Sequence, residues 1–257
     1  MIGSVPWRLT NYGLSPTVKY LRERSQSKPI LSQSAAEISL EEFLKTATKR
    51  NPVEVTKGAQ LSVSSTFKEL RENYQSTFES GIVIKPVLEK NTSVSRLVVL
   101  AALLEISEIN TFIETGTQHG ISASVVANCS AEKNLNLSMH SIDVSSPYLV
   151  KHESEVNYIR LKRPARKAFK KITLEIATGK TLFFHDSDHT YENMYFEFGW
   201  AWNVLGTDIL VSDDIDLNNA YSDFCSDNSL EEYRIKMDSG TTIGVAIRQI
   251  NKKGQAF

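Results

Sequence analysis

"TFIETGTQHGISASVVANCSAE", residues 111–132, decides how the rest of this 257-residue chain is read. TFIET has the length and the apolar, β-branched content of a buried strand. Gly116 and Gly120 follow, and small residues then continue at a spacing compatible with a helix. The stretch is a strand, a glycine turn and a helix. Glycine lets a ligand come close to the backbone, and the first turn of a helix offers free N–H groups. The Gly-x-x-x-Gly spacing is not the Gly-x-Gly-x-x-Gly dinucleotide fingerprint, which disfavours a pyrophosphate-binding oxidoreductase. Glu114, at the strand tip, suits a cationic amine better than a phosphate. The bland alternative is an ordinary strand–turn–helix with no ligand at all.

The pattern repeats on both sides of this stretch. SRLVVLAALLEIS (95–107, with Ser93 just before it) is apolar almost all round and predicts a buried helix. LSMHSIDV is a second strand, ending at Asp143, where an acid commonly meets a ribose diol. Residues 162–176 carry many basic side chains at helical spacing. TLFFHD and DILVSDDI are further strands, TYENMYFEFGWAWNVL between them is an aromatic-rich helix, and TTIGVAIRQ is β-rich. Strands alternating with helices imply a parallel α/β sheet with its ligands at the carboxyl ends of the strands. All three acidic clusters fall at such ends.

The first ninety residues read differently. They are polar and hold Pro6, Pro16, Pro29, Pro52 and Pro86. Short helices are expected over 40–48 and 65–74, the first opened by a capping box of Ser39 and Glu42. The expected division is a helical N-terminal extension, 1–90, and an α/β domain, 91–257.

Bulk composition narrows the class. A net charge of −1 argues against a general nucleic-acid-binding surface. Two cysteines, Cys129 and Cys225, make no disulfide framework and no Cys-x-x-Cys, so an intracellular, cytoplasmic protein is expected. The N-terminus lacks the apolar core of a secretory signal, and the most apolar run is too short to span a bilayer.

"TLFFHDSDHTYE" (181–192) gathers Asp186, Asp188, Glu192, His185 and His189 directly after an apolar strand. Such groups are costly to desolvate without partners, so the cluster reads as a metal site, an acid/base site or a polar loop. Alternation puts His185 on the opposite side of the strand from Asp186, which favours a structural role for it. Asp188 suits a helix cap. Trp200 and Trp202 read as core, as does Cys129, and the basic run 162–171 reads as a solvated helix face.

Taken together, Glu114-Thr-Gly116-Thr-Gln-His-Gly120, Asp143, "DSDHTYE" and "ILVSDDID" resemble the class I S-adenosylmethionine (SAM)-dependent methyltransferases. The closer resemblance is to the branch that includes metal-dependent macrolide-sugar O-methyltransferases and relatives from antibiotic and glycan pathways. It runs from about Ser93 to the end of the chain. It implies a Rossmann-like, mostly parallel sheet with an antiparallel last strand and helices on both faces. It implies cofactor contacts from Glu114, Gly116, Thr117, Gly120, Ser122, Asp143 and Asp186. It further implies a divalent cation, Mg²⁺, on Asp186, Asp213 and Asp214, with His189 as general base. The hard carboxylate oxygens agree with Mg²⁺, and an imidazole agrees with proton transfer at neutral pH. One departure is the basic stretch "YIRLKRPARKAF", where the family often has an acidic or small polar pair near the adenine.

The function implied is metal-assisted methyl transfer to a hydroxyl. The acceptor stays open among a sugar, a polyketide and a phenol, and oligomeric state stays open with it. Three rivals stand beside it: a metallohydrolase, which needs more histidines than this chain offers for a transition metal, a non-catalytic SAM-binding protein, and more distantly an NAD oxidoreductase.

Overall fold

The computed structural model describes residues 35–73, 94–144, 156–161, 169, 179–237 and 240–248. Most of the basic run 162–176 and the first 34 residues lie outside them. Within them, eight strands form one sheet. They are β1 (Glu37–Ile38), β2 (Thr111–Thr115), β3 (Ser138–Asp143), β4 (Val156–Arg160), β5 (Thr181–His185), β6 (Ile209–Ser212), β7 (Glu231–Lys236) and β8 (Thr242–Ile247). Their order across the sheet is β1-β7-β8-β6-β5-β2-β3-β4. Strands β2 to β6 run parallel, while β8 lies antiparallel between β6 and β7. This is the Rossmann-like, mostly parallel sheet with an antiparallel last strand that the sequence predicts. The order turns back at β2, with β3 on one side and β5 on the other. Ligands of such sheets bind at that switch point.

Period-two alternation sorts the strand side chains onto two faces. Phe112, Leu182 and Phe184 face one apolar cluster, and Ile113 and Phe183 face the other. The first cluster is covered by α3 (Val94–Ile106) and α4 (Ile121–Glu132). The second is covered by α5 (Tyr191–Trp200) and α6 (Ala220–Asp227). Phe169 and Phe183 both meet Trp200 edge-on, at centroid distances of 4.5 and 5.9 Å. Trp200 and Trp202 are therefore core residues. A π-helical turn, Ala201–Leu205, continues α5. Arg248 donates to the Trp202 and Thr207 carbonyls at its end and stacks 4.2 Å over the Trp202 ring.

The described part of the N-terminal segment packs on the same core. In α1 (Leu40–Ala47) the capping box forms as read: the Glu42 amide donates to Ser39 Oγ at 3.2 Å, and the Ser39 amide donates to Glu42 Oε2 at 2.8 Å. The second helix, α2 (Pro52–Asn73), starts well before position 65, with Pro52 in its first turn, where a missing N–H costs nothing. Phe43 and Leu44 of α1 and Val55, Ala59 and Val63 of α2 belong to the cluster beneath α3. Strand β1 extends the sheet beside β7. No helix among the described residues is long and apolar enough to cross a membrane.

Candidate active site

Two corners at the carboxyl edge of the sheet carry the titratable groups. The first lies between β2 and β3. Gly116 has φ +88°, and a Cβ there would overlap the carbonyl of Asp186. The glycine is thus required by the contact between the tips of β2 and β5, and its amide donates to the Ile142 carbonyl at 2.9 Å. Gly120, φ +86°, caps α4 in the left-handed region, and its amide donates to the Thr117 carbonyl at 2.7 Å. Asp143 accepts the Gln118 amide at 2.7 Å, which ties the turn to the end of β3. Glu114 is buried and turned toward α4. One of its oxygens accepts from Ser122 Oγ at 2.5 Å and the other from Ser141 Oγ at 2.7 Å. Burial pushes its carboxyl above the usual range, against the pull of both serines.

The second corner lies between β5 and β6. Asp186 follows β5, its amide bonded to the Thr115 carbonyl at 2.9 Å, and Asp213 follows β6, its amide bonded to the His185 carbonyl at 3.0 Å. Arg96, in the first turn of α3, reaches both. Its Nη1 donates to Asp213 Oδ2 and its Nη2 lies 3.2 Å from Asp186 Oδ2. Burial raises the Asp186 carboxyl, and Arg96 opposes that rise. Asp214 adopts a left-handed backbone, φ 49°, and burial with the neighbouring Asp213 charge raises its carboxyl too.

A third group joins the two corners from α5. Glu197 is fully buried, and its Oε2 lies 2.8 Å from His185 Nδ1. It also accepts from Thr115 Oγ1 at 2.5 Å, from Ser187 Oγ at 3.0 Å and from Asn193 Nδ2 at 3.1 Å. Burial pushes this carboxyl up, but the bonds and charge of His185, with Thr115 and Ser187, outweigh it and hold Glu197 below the usual range. The His185 ring stands edge-on to the His189 ring, centroids 5.3 Å apart. His189 Nε2 lies 3.9 Å from Asp186 Oδ1. Burial, then the adjacent His185, lowers the His189 pKa, so its imidazole is neutral at pH 7 and able to accept a proton. Its backbone is held by Asn218, whose Nδ2 donates to the His189 carbonyl at 2.8 Å, and Asp188 Oδ1 accepts the Thr190 amide at the head of α5.

A cleft of about 640 Å³, a size suited to a small organic ligand, opens beside Asp143, Asp186, His189 and Glu197, while Arg96, His185, Asp213 and Asp214 do not line it. Gly116, Asp143, Asp186 and His189, which the sequence reading names as cofactor or catalytic positions, are among its lining residues. Glu114, Thr117, Gly120 and Ser122 are not among its lining residues, and the carboxyl that the resemblance turns toward an amine is instead bonded within the fold. Ile142, Val144, Leu161 and Phe169 give the cleft an apolar wall next to Asp143. Two residues of this region escape the sequence reading. Arg96 is signalled only by being a lone charge in the first turn of an apolar helix, and Glu197 only by being an acid within an aromatic run.

The position that the resemblance gives to a divalent cation is taken by the Arg96 guanidinium. Asp186 and Asp213 face one corner with Asp214 close by, but Arg96 engages an oxygen of each of the first two. Among the described residues, no group of three or more His, Cys, Asp or Glu side chains is placed to hold a metal ion. As arranged, these residues do not fit an octahedral Mg²⁺, which requires oxygens at about 2.0–2.1 Å on all sides.

No family model matches the sequence, and a comparison with curated proteins finds no match. Solved structures do align with it. "CmcI-N160 apo-structure" is 14% identical over 62% of this chain and 73% of its own, with a TM-score of 0.47. "cmcI-D160 Mg-SAM" is 16% identical over 57% and 68%, with a TM-score of 0.44. The methyltransferase MycE of the mycinamycin biosynthetic pathway, in complex with Mg, SAH and mycinamycin VI, is 10% identical over 58% and 47%, with a TM-score of 0.39. At these identities and TM-scores, function has to be read from the chain's own residues.

Proposed function

We propose that the protein is a SAM-dependent methyltransferase acting on a hydroxyl group of a small molecule or sugar. One observation carries the reading: the glycine turn after β2, the carboxylate at the tip of β3 and a neutral His189 open onto one cleft at the switch point of the sheet. The residues present fit the cofactor. Asp143 suits a ribose diol, and the wall of Ile142, Val144, Leu161 and Phe169 suits a flat base. The bound donor supplies a methyl group on a sulfonium, an electrophile that needs no further activation.

The chain's own residues supply position and a proton acceptor. As an acceptor oxygen forms its bond to the methyl carbon, the carbon–sulfur bond breaks and its electron pair stays on sulfur. The hydroxyl proton passes to His189 Nε2, which is buried without a hydrogen-bond partner among the described residues. Holding both reactants in line in one cleft is the largest gain open to such a two-substrate transfer.

The test is transfer of a labelled methyl group from SAM to a panel of hydroxyl acceptors. His189→Ala is expected to lower turnover by roughly 10²–10⁴, the contribution of a positioned base, and to leave S-adenosylhomocysteine affinity unchanged. A variant with near-normal turnover would remove His189 from the chemistry. Loss of turnover in His185→Ala alone would move the base to the other face of β5.

A further inference from the structure

We propose that Arg96 is the resident cation of this site, standing where a divalent metal would otherwise be needed, so that the protein works without a metal ion. The inference deepens the methyltransferase reading and rests on it for the word "works"; the placement of the cation rests on geometry alone. Arg96 Nη1 engages Asp213 and Nη2 engages Asp186, so one planar guanidinium joins the ends of β5 and β6. This is the fork geometry in which arginine surpasses a point charge.

The arrangement is internal to the fold. Arg96 lies in the first turn of α3, whose next residues, Leu97 to Leu100, are all buried in the main core, so its Cα cannot readily retreat. Its side chain is only 20% exposed, and that of Asp213 only 2%. A metal ion between Asp186 and Asp213 would have to displace the guanidinium from both carboxylates. A buried charge deprived of its partner is strongly destabilising. Conversely, removing the guanidinium leaves the buried Asp213 and the half-buried Asp186 facing each other with Asp214 close by, and such a cluster calls for a cation.

The experiment follows melting temperature and heat of binding with Mg²⁺ alone, for the wild type, Arg96→Met and Arg96→Lys. The wild type is expected to give no thermal shift and no heat with millimolar Mg²⁺. Arg96→Met keeps the bulk but not the charge, and it is expected to gain Mg²⁺ binding, with a rise of roughly 3–6 °C when Mg²⁺ is about tenfold above its dissociation constant. Arg96→Lys keeps a cation in place and is expected to show no gain. A Mg²⁺-dependent rise in the wild type, or stoichiometric metal in the purified protein, overturns the proposal. If Arg96→Met does not fold, the wild type and Arg96→Lys decide it in the same way. Failure of S-adenosylhomocysteine to bind, with the Mg²⁺ results as expected, would sink the methyltransferase reading and leave the cation assignment standing.

Discussion

The two corners at the carboxyl edge hold similar chemistry in opposite states. Between β2 and β3 each carboxylate has partners: Glu114 takes two serine hydroxyls and Asp143 takes the Gln118 amide. Between β5 and β6, Arg96 Nε, Asp213 Oδ1, His185 Nε2 and His189 Nε2 are all buried without a hydrogen-bond partner among the described residues. Buried polar atoms are nearly always paired, so a cluster of exceptions sets this corner apart. The first corner is tied by hydrogen bonds, and the second, with several atoms still unpaired, by one shared cation.

That contrast can be broken at Gly116, where the corners touch. Gly116→Val would place a side chain on the Asp186 carbonyl at a φ that valine does not adopt. A loss of more than about 4 kcal/mol in urea denaturation is expected. A cooperative transition at the wild-type midpoint would show that the corners are independent. The same variant is unsuited to testing cofactor binding, because the clash is with the protein's own backbone.

The next effect is smaller and separates the two buried glutamates. Glu197 is held below the usual carboxylate range and bonds four side chains, so Glu197→Ala should cost about 3–5 kcal/mol at pH 7. A depressed folded pKa adds stability that is present above the unfolded value, near 4.5, and is lost as pH falls through the lower folded value. The gap between variant and wild type should accordingly narrow in acid, and a gap constant from pH 7 to pH 3 would deny the charge its role. Glu114 is pushed the other way by burial, toward the neutral carboxyl. Glu114→Gln, neutral and of the same shape, should cost no more than about 1 kcal/mol. A cost equal to that of Glu197→Ala would show that Glu114 serves as an anion.

Much of this was legible along the chain, and the reasons are local. Ser39 and Glu42 form a capping box because both partners lie within one turn. Strands β2, β3, β5, β6 and β8 announce themselves as short apolar runs between turn residues. Strand β7, EEYRIK, does not: four of its six residues are charged, and pairing with β8 makes it a strand. The opposite facing of His185 and Asp186 follows from alternation. The ion pair from Arg96 to Asp213 could not be read, because it spans 117 positions and no periodicity links them. Glu197 was hidden similarly, since its meaning comes from Thr115 on β2, His185 on β5 and Ser187 in the loop after β5.

The most direct test of a cofactor cleft at the first corner is calorimetric titration of S-adenosylhomocysteine into the wild type and Asp143→Asn in the presence of EDTA. Asparagine can still accept the Gln118 amide, so the turn should hold while the carboxylate is lost. One site per chain is expected in the wild type, unaffected by the chelator, with affinity about tenfold weaker in Asp143→Asn, a difference of about 1.4 kcal/mol. Absence of binding heat in the wild type, or equal affinity in the two proteins, would contradict it.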